Sequence, residues 1–263
     1  MSTSQNSIDN QQPDTQNKAT SKKRSRLQLP GSLVANADVL EFHNKYSKML
    51  IEGRPGDKQQ KIRAIIGLIR FASITKQITK AAQADDPYAD MILLLLEEKE
   101  VKLSQQIEHF NNEVNNAVNK VVPKGFNIDF EGVHSTEPAR FEIAWGANPY
   151  ATRCAFKLKR ADEVLCTIWL ARHKGLITRN DAMTLTNRLQ HRVRSYLSVV
   201  QDWKVFGLTR ADYIQKNQRA QSAEKHFGFS ISDAVLSREL RGEHAPNINP
   251  AILQDQSSSF LDD

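Results

Sequence analysis

The chain has few cysteines, no long apolar run and no apolar stretch near its N-terminus. Two cysteines among 263 residues are too few for a disulfide framework, which favours a reducing compartment. The longest apolar run is the six-residue stretch Met91–Leu96, far shorter than a membrane span. Because the first 30 residues also lack the apolar core of a secretion signal, we expect a cytoplasmic protein that does not enter membranes.

Residues that could support catalysis are also sparse. The glycines are isolated, which excludes a glycine-rich phosphate loop. Cys166 and His173 lie seven residues apart without a third ligand, so neither a metal site nor a thiol nucleophile is expected. The acidic residues between 85 and 100 resemble a Mg²⁺ cluster of a nuclease, but acids at a helix N-terminus followed by a solvated face explain them more simply. We therefore expect no enzyme, no cofactor and no metal.

Positive charge is present, and it is confined to two regions. The net charge is +6, to which residues 151–200 contribute +7 and residues 1–30 contribute +3, whereas residues 31–150 and 201–263 each carry −2. A local basic surface on a nearly neutral body is typical of nucleic-acid binding. The alternative is a solvated charged face that binds nothing.

The apolar patterns predict a mainly α fold with a small β component. Asp86 and Pro87 are favourable at the start of a helix, and no helix-breaking residue follows before Val122, which predicts one long helix. Short strands are expected at 124–133 and 139–145. We divide the chain into a disordered basic tail, a helical body, a ribbon-helix-helix-like DNA-binding region, C-terminal helices and a flexible tail, at residues 1–30, 31–123, 124–202, 203–241 and 242–263.

The ribbon-helix-helix-like region rests on a pattern of alternating residues. Within Arg153–Lys159, Cys154, Phe156 and Leu158 alternate with basic or small residues, as in a strand with one apolar face. A helix with apolar residues from Val164 to Ala171 follows. A second helix is then predicted from Thr178, because Asp181 stands three residues later as in a capping box.

This arrangement assigns candidate DNA contacts. In a ribbon-helix-helix protein, alternate side chains of paired strands read base edges in the major groove, which indicates Arg153, Ala155 and Lys157. Phosphate contacts are expected beside the strand, at the start of the second helix and in the basic arm, at Lys159, Arg160, Thr178, Arg179, Asn180, Lys22, Lys23, Arg24 and Arg26. The alternatives are an ordinary core strand and helix with a solvated Arg153 and Lys157, and a solubilising tail without a partner.

Two stretches of sequence resemble a known family. AAQADDPYADMILLLLEEK (residues 81–99) and ANPYATRCAFKLKRADEVLCTIWLARHKGLITRNDA (residues 147–182) are similar to the AcaB-like regulators of conjugative plasmids and integrating conjugative elements. The resemblance spans about residues 31–200, with DDPYAD and LARHKGLI its most specific parts. It implies a bacterial transcriptional activator that binds DNA upstream of conjugation-regulator genes.

The function expected from these observations is sequence-specific activation of conjugative transfer genes. The expected partner is double-stranded DNA at a promoter-upstream site, bound by a homodimer, with RNA polymerase as a further candidate partner. Two alternatives stay open. One is a DNA-binding accessory of the conjugation machinery without an activator role, and the other is a helical protein-interaction scaffold.

Overall fold

Helices make up most of the structure, as the sequence patterns predict. The computed structural model describes residues 38–57, 59–60, 62–123, 125–126, 128, 135–143 and 148–252. The predicted tail at 1–30 and most of the predicted strand at 124–133 lie outside these residues. In chain order the elements are β1 Asp38–Phe42, α1 Lys45–Glu52, α2 Leu68–Gln83, α3 Pro87–Val121, β2 Ala139–Ile143, α4 Pro149–His173, α5 Arg179–Leu197, α6 Arg210–Ile214, α7 Gln218–Phe227 and α8 Asp233–Leu236.

Helix α3 is the long helix that the sequence predicts. Its 35 residues extend about 50 Å at 1.5 Å per residue. The Asp86 carboxylate accepts hydrogen bonds from the Tyr88 and Ala89 backbone N–H groups, and Pro87 occupies the first turn, so the predicted start is confirmed. Its apolar side chains pack against α2, α4 and α5 and include Leu93, Leu96, Leu103, Ile107, Phe110 and Val114.

Strands β1 and β2 pair antiparallel, with Leu40 opposite Phe141. The prediction of a strand at the position of β2 is confirmed, and β1 directly precedes α1. The fully buried Asp162 carboxylate of α4 accepts hydrogen bonds from the backbone N–H groups of His43 and Asn44. The β1–α1 turn is therefore fixed by a side chain far away in the sequence.

The strand predicted at Arg153–Lys159 is wrong, because these residues lie inside α4. Asn148 caps this helix by accepting a hydrogen bond from the Ala151 N–H, and Pro149 stands in its first turn. An alternation over seven residues does not distinguish a strand from a helix when the same residues belong to a longer segment whose apolar residues recur every three to four positions. Here that spacing prevails and buries Ala151, Cys154, Ala155, Leu158, Ala161, Leu165 and Ile168.

The chain beyond residue 200 builds a second apolar cluster around the start of α3. Tyr88 of α3 packs there against Leu208, Ala223 and Val235. Helices α6 and α7 are separated by a turn that contains Lys216, whose φ is +53°. Thr209 caps α6 through a capping box with Asp212, the same arrangement that Thr178 and Asp181 form at α5.

A buried ion network joins this C-terminal part to α3. Arg210, 2% exposed, binds the fully buried carboxylates of Asp85 and Asp90. Arg238 and Arg241 bind the same two carboxylates at 2.8 and 3.0 Å. Each buried carboxylate is thus neutralised by two guanidinium groups, which offsets the cost of removing it from water.

The first residues of the predicted flexible tail, 242–263, are held on α3. Glu97 accepts hydrogen bonds from the backbone N–H groups of Glu243 and His244 at 2.8 and 2.9 Å. A Cβ atom at Gly242 would lie 2.8 Å from the Glu97 carboxylate, so a larger residue there would displace the Glu97 side chain. The solvated face that the sequence suggested for the acidic stretch is correct for exposed Glu98 but wrong for buried Glu100.

Replacing Arg210 with methionine should destabilise the protein by about 3–5 kcal/mol, because two carboxylates would remain buried without their shared cation. Chemical denaturation followed by circular dichroism measures the change. The matched control is Arg219→Met, since Arg219 is exposed on α7, and it should change the free energy of unfolding by less than about 0.5 kcal/mol. Equal effects of the two substitutions would contradict the network.

The Asp86→Asn variant should gain stability relative to the wild type as the pH rises. Burial raises the pKa of Asp86 to about 7 from an ordinary value of 3.8. The carboxyl group therefore favours folding below pH 4, and this contribution is lost as the pH rises through 7. Asparagine keeps the oxygen that caps α3 but does not ionise, so the difference should approach at most about 4 kcal/mol above pH 7.

Denaturation curves between pH 4 and 8 test this prediction, and Asp212→Asn provides a control of opposite sign. Although partial desolvation acts against it, the hydrogen bonds from Thr209 and Asn217 hold the pKa of Asp212 below its usual value. Its contribution to stability is present at neutral pH and is lost on acidification. A pH-independent difference between the wild type and Asp86→Asn would contradict the assignment.

Candidate nucleic-acid interface

The basic residues at the start of α4 neutralise a buried carboxylate. Arg153 and Lys157 bind Glu100 of α3 at 2.8 and 3.5 Å, and the Glu100 side chain is 4% exposed. The hydrogen bond to Glu100 raises the pKa of Arg153. Ala155 between them is fully buried. The groove-facing geometry predicted for these three residues is therefore wrong, since the strand that would present them is absent and Ala155 offers no surface to a base.

The next two predicted phosphate contacts are also engaged by other groups. Lys159 donates a hydrogen bond to the Glu41 backbone oxygen at 2.8 Å. Arg160 binds both carboxylate oxygens of Glu108 and one oxygen of Glu163, at 2.8–3.1 Å, and these bonds raise its pKa. Much of the positive charge that the sequence shows at 151–160 is thus compensated within the fold.

The N-terminus of α5 is exposed, as the sequence predicts. The Thr178 hydroxyl oxygen accepts a hydrogen bond from the Asp181 backbone N–H at 3.1 Å, and the Asp181 carboxylate accepts from the Thr178 hydroxyl at 2.7 Å. The capping box is therefore confirmed. Arg179 and Asn180 point to solvent. Their contact with DNA remains a prediction, and the predicted arm of Lys22, Lys23, Arg24 and Arg26 lies outside the described residues.

The exposed face of α5 continues this basic surface. Helix α5 holds four arginines against one aspartate, and His191, Arg192 and Ser195 are exposed on its outer side. Arg188 is paired with Glu113 at 2.8 Å. Within the described part of the chain, Arg179 and Arg192 have no carboxylate within ion-pair distance. This face can therefore attract an external anion in a way that the start of α4 cannot.

A basic connector between α1 and α2 lies beside α5. Residues 53–67 carry four Lys/Arg and one Asp, and antiparallel bridges join Arg54 to Ile65 and Asp57 to Ile62. Gly53 and Gly67 close its base, where a Cβ on either would lie about 2.4 Å from backbone of the other side. The sequence pattern suggested helix from Lys58 onward. The pairs of glycines and basic residues in GRPGDKQQKIRAIIG were the available signal for a hairpin-like basic loop.

Aromatic rings and cations stack near the end of α4. The rings of Tyr46 and Trp169 stack with centroids 5.5 Å apart. Lys45 lies over Tyr46 at 5.2 Å and Arg172 over Trp169 at 5.7 Å. This stack joins α1 to α4 and places two cations at the same end of the molecule as the N-terminus of α5. Trp169 is only partly buried, so one side of this stack is open to solvent.

The two thiols are unsuited to nucleophilic chemistry. Burial raises the pKa of Cys166 to about 12 and raises that of Cys154 as well, so neither forms a thiolate readily. The described residues contain no group of three or more His, Cys, Asp or Glu side chains placed to hold a metal ion. Among the described helices, none is long and apolar enough to cross a membrane.

Comparison with known proteins places the chain in a family. The family described as "Transcriptional regulator AcaB" matches residues 29–249. The chain belongs to the AcaB family. No curated protein matches it. Its fold is similar to the crystal structure of selenomethionine-containing AcaB from uropathogenic E. coli, with a TM-score of 0.50 and 12% identity over 78% of this chain and 95% of that chain.

The AcaB family match extends further than the resemblance read from the sequence. That resemblance ended near residue 200, whereas the AcaB match includes α6 to α8 and the segment held by Glu97. The buried network of Arg210 therefore lies within the part of the chain that the family shares. The recognition of an AcaB-like regulator is confirmed.

Substitutions at two neighbouring residues test whether the segment predicted as a strand is helical. In a ribbon, Ala155 would face outward and Phe156 inward, whereas the structure leaves Ala155 0% and Phe156 58% exposed. Ala155→Lys should destabilise the fold by about 3 kcal/mol or more, because it buries a charge and overpacks the core. Phe156→Lys should change the stability by less than about 1 kcal/mol, and the reverse order in thermal unfolding would restore the ribbon.

Proposed function

We propose that this AcaB-family protein is a sequence-specific DNA-binding activator of conjugative transfer genes. Family membership supports regulation of transcription, and the resemblance of its DDPYAD and LARHKGLI segments supports the link to conjugation. The observation that carries the DNA-binding proposal is the basic surface of α5 and the connector at 53–67. Arg179, Arg192, Arg54 and Arg63 have no carboxylate within ion-pair distance among the described residues, unlike the basic residues at the start of α4.

The surface suits the backbone of a DNA duplex. Arg179 at one end of α5 and Arg192 near the other are about 20 Å apart along the helix axis, a distance that spans several phosphates. The exposed N-terminus of α5 supplies a favourable dipole for a phosphate beside Thr178 and Asn180. Exposed polar side chains between the arginines, including Thr184, Asn187 and His191, are available for base edges or backbone.

Activation requires more than binding. We propose that the protein acts as a homodimer at a promoter-upstream site, with the basic arm at Lys22–Arg26 adding phosphate contacts. The helical body would then be free to contact RNA polymerase. A DNA-binding accessory without an activator role differs only in this last step, so a transcription assay separates the two.

Arg192→Gln and Arg63→Gln should each weaken binding to all DNA sequences and reduce the salt dependence of the binding constant. Each lost phosphate contact lowers the slope of log K against log salt by about 0.9. Fluorescence anisotropy measures both quantities, with DNA from upstream of conjugation-regulator genes and with DNA of unrelated sequence. Arg219→Gln on α7 removes an exposed arginine outside this surface and should behave like the wild type.

Two outcomes would contradict the proposal. If Arg192→Gln and Arg63→Gln match Arg219→Gln in affinity and slope, DNA binds elsewhere. A reporter gene can be fused to the DNA upstream of conjugation-regulator genes. If its expression is the same in the presence and in the absence of the protein, although the protein binds this DNA, the activator role is wrong and the accessory function is favoured. An absence of any bound species at low salt would favour the protein-interaction scaffold.

A further inference from the structure

A small cavity lies between the connector and the C-terminal half of α5. Its volume is about 270 Å³, and it is lined on one side by Ala64, Ile65 and Ile66 and on the other by residues of α5 and the turn that follows it, His191, Arg194, Ser195, Ser198 and Gln201. The lining contains a guanidinium, an imidazole, two hydroxyls and an amide, and no carboxylate. Its chemistry is therefore complementary to an anion.

Arg194 is poorly satisfied at this position. Its Nε atom is buried and has no hydrogen-bond acceptor, and no described carboxylate lies within ion-pair distance of its guanidinium. Burial and the nearby positive charge of Arg54 both lower the pKa of Arg194. Backbone hydrogen bonds of 2.7 and 2.8 Å join Arg54 to Ile65, which lines the cavity. A second positive charge therefore lies near Arg194, and this arrangement costs energy until an anion neutralises it.

The position of Arg194 on its helix explains only part of this arrangement. A cation in the last turn of α5 is favoured by the helix dipole, but the dipole does not account for the second positive charge, that of Arg54, nearby. Arg194 also differs from Arg192, which lies on the opposite edge of the exposed face, about 160° away around the axis at 100° per residue, and is open to solvent.

We propose that this cavity is a phosphate-binding site, in which Arg194 holds one phosphate group between α5 and the connector. Arg194 would bind two phosphate oxygens through its planar fork, and the nearby positive charge of Arg54 would favour the bound anion. The phosphate belongs either to the DNA backbone or to a small phosphorylated ligand. The inference stands apart from the proposed function, because phosphate binding is measurable without DNA.

Thermal unfolding of the full chain with inorganic phosphate, at constant ionic strength maintained with chloride, tests the site. Phosphate at ten times its dissociation constant should raise the Tm of the wild type by about 3 °C. Arg194→Gln should abolish the rise, and Arg54→Gln, in an exposed connector residue, should reduce it. Arg219→Gln is the matched control, because Arg219 is exposed on α7 outside both the cavity and the proposed DNA-binding surface, and it should respond like the wild type.

The proposal is overturned if phosphate does not raise the Tm of the wild type, or if it raises the Tm of Arg194→Gln and Arg54→Gln by as much. DNA affinity of the same variants then identifies the source of the phosphate. If DNA supplies it, Arg194→Gln lowers the affinity about tenfold, as for one charge-assisted hydrogen bond, and inorganic phosphate competes with DNA. If a small phosphorylated ligand supplies it, DNA affinity is unchanged and the protein binds phosphate and DNA together.

Discussion

The fold depends on the neutralisation of carboxylates that lie on α3 and in the turn just before it, most of them buried. Asp85 and Asp90 are bound by arginines of the C-terminal part, Glu97 accepts hydrogen bonds from backbone N–H groups of residues 243 and 244, and Glu100 is bound by Arg153 and Lys157. Removing any of these acids from water is costly unless a partner replaces the solvent. Helix α3 therefore specifies which later segments pack against it and at which position along its axis each of them does so.

This constraint also determines where positive charge remains available. The sequence concentrates basic residues between 151 and 200. Those at the start of α4, however, form ion pairs with carboxylates of α3 and α4. Arg179 and Arg192 of α5, and Arg54 and Arg63 of the connector, have no such counterparts in the described chain. Net charge in a stretch of sequence is thus a poor guide to a binding surface, because ion pairing across the fold decides which charges face outward.

Patterns contained within a few neighbouring residues predicted much of the fold. Contacts between segments far apart in the sequence could not be predicted in this way. Asp86 with Pro87 and Thr178 with Asp181 are complete within four residues, so the starts of α3 and α5 were predictable. The alternation at Arg153–Lys159 is equally local but fits two periodicities, and only the burial of its neighbours decides between them. The cavity at Arg194 involves two segments about 130 residues apart, which no spacing rule could bring together.

The network around Arg210 has a consequence for synthesis of the chain. Its partners are separated by 120 to 153 residues, so the N-terminal acids of α3 emerge from the ribosome long before the arginines that neutralise them. Contacts of such separation form late and slow the approach to the native state. Until Arg241 is translated, the start of α3 lacks the last of these partners, and the network closes only after that residue has left the ribosome.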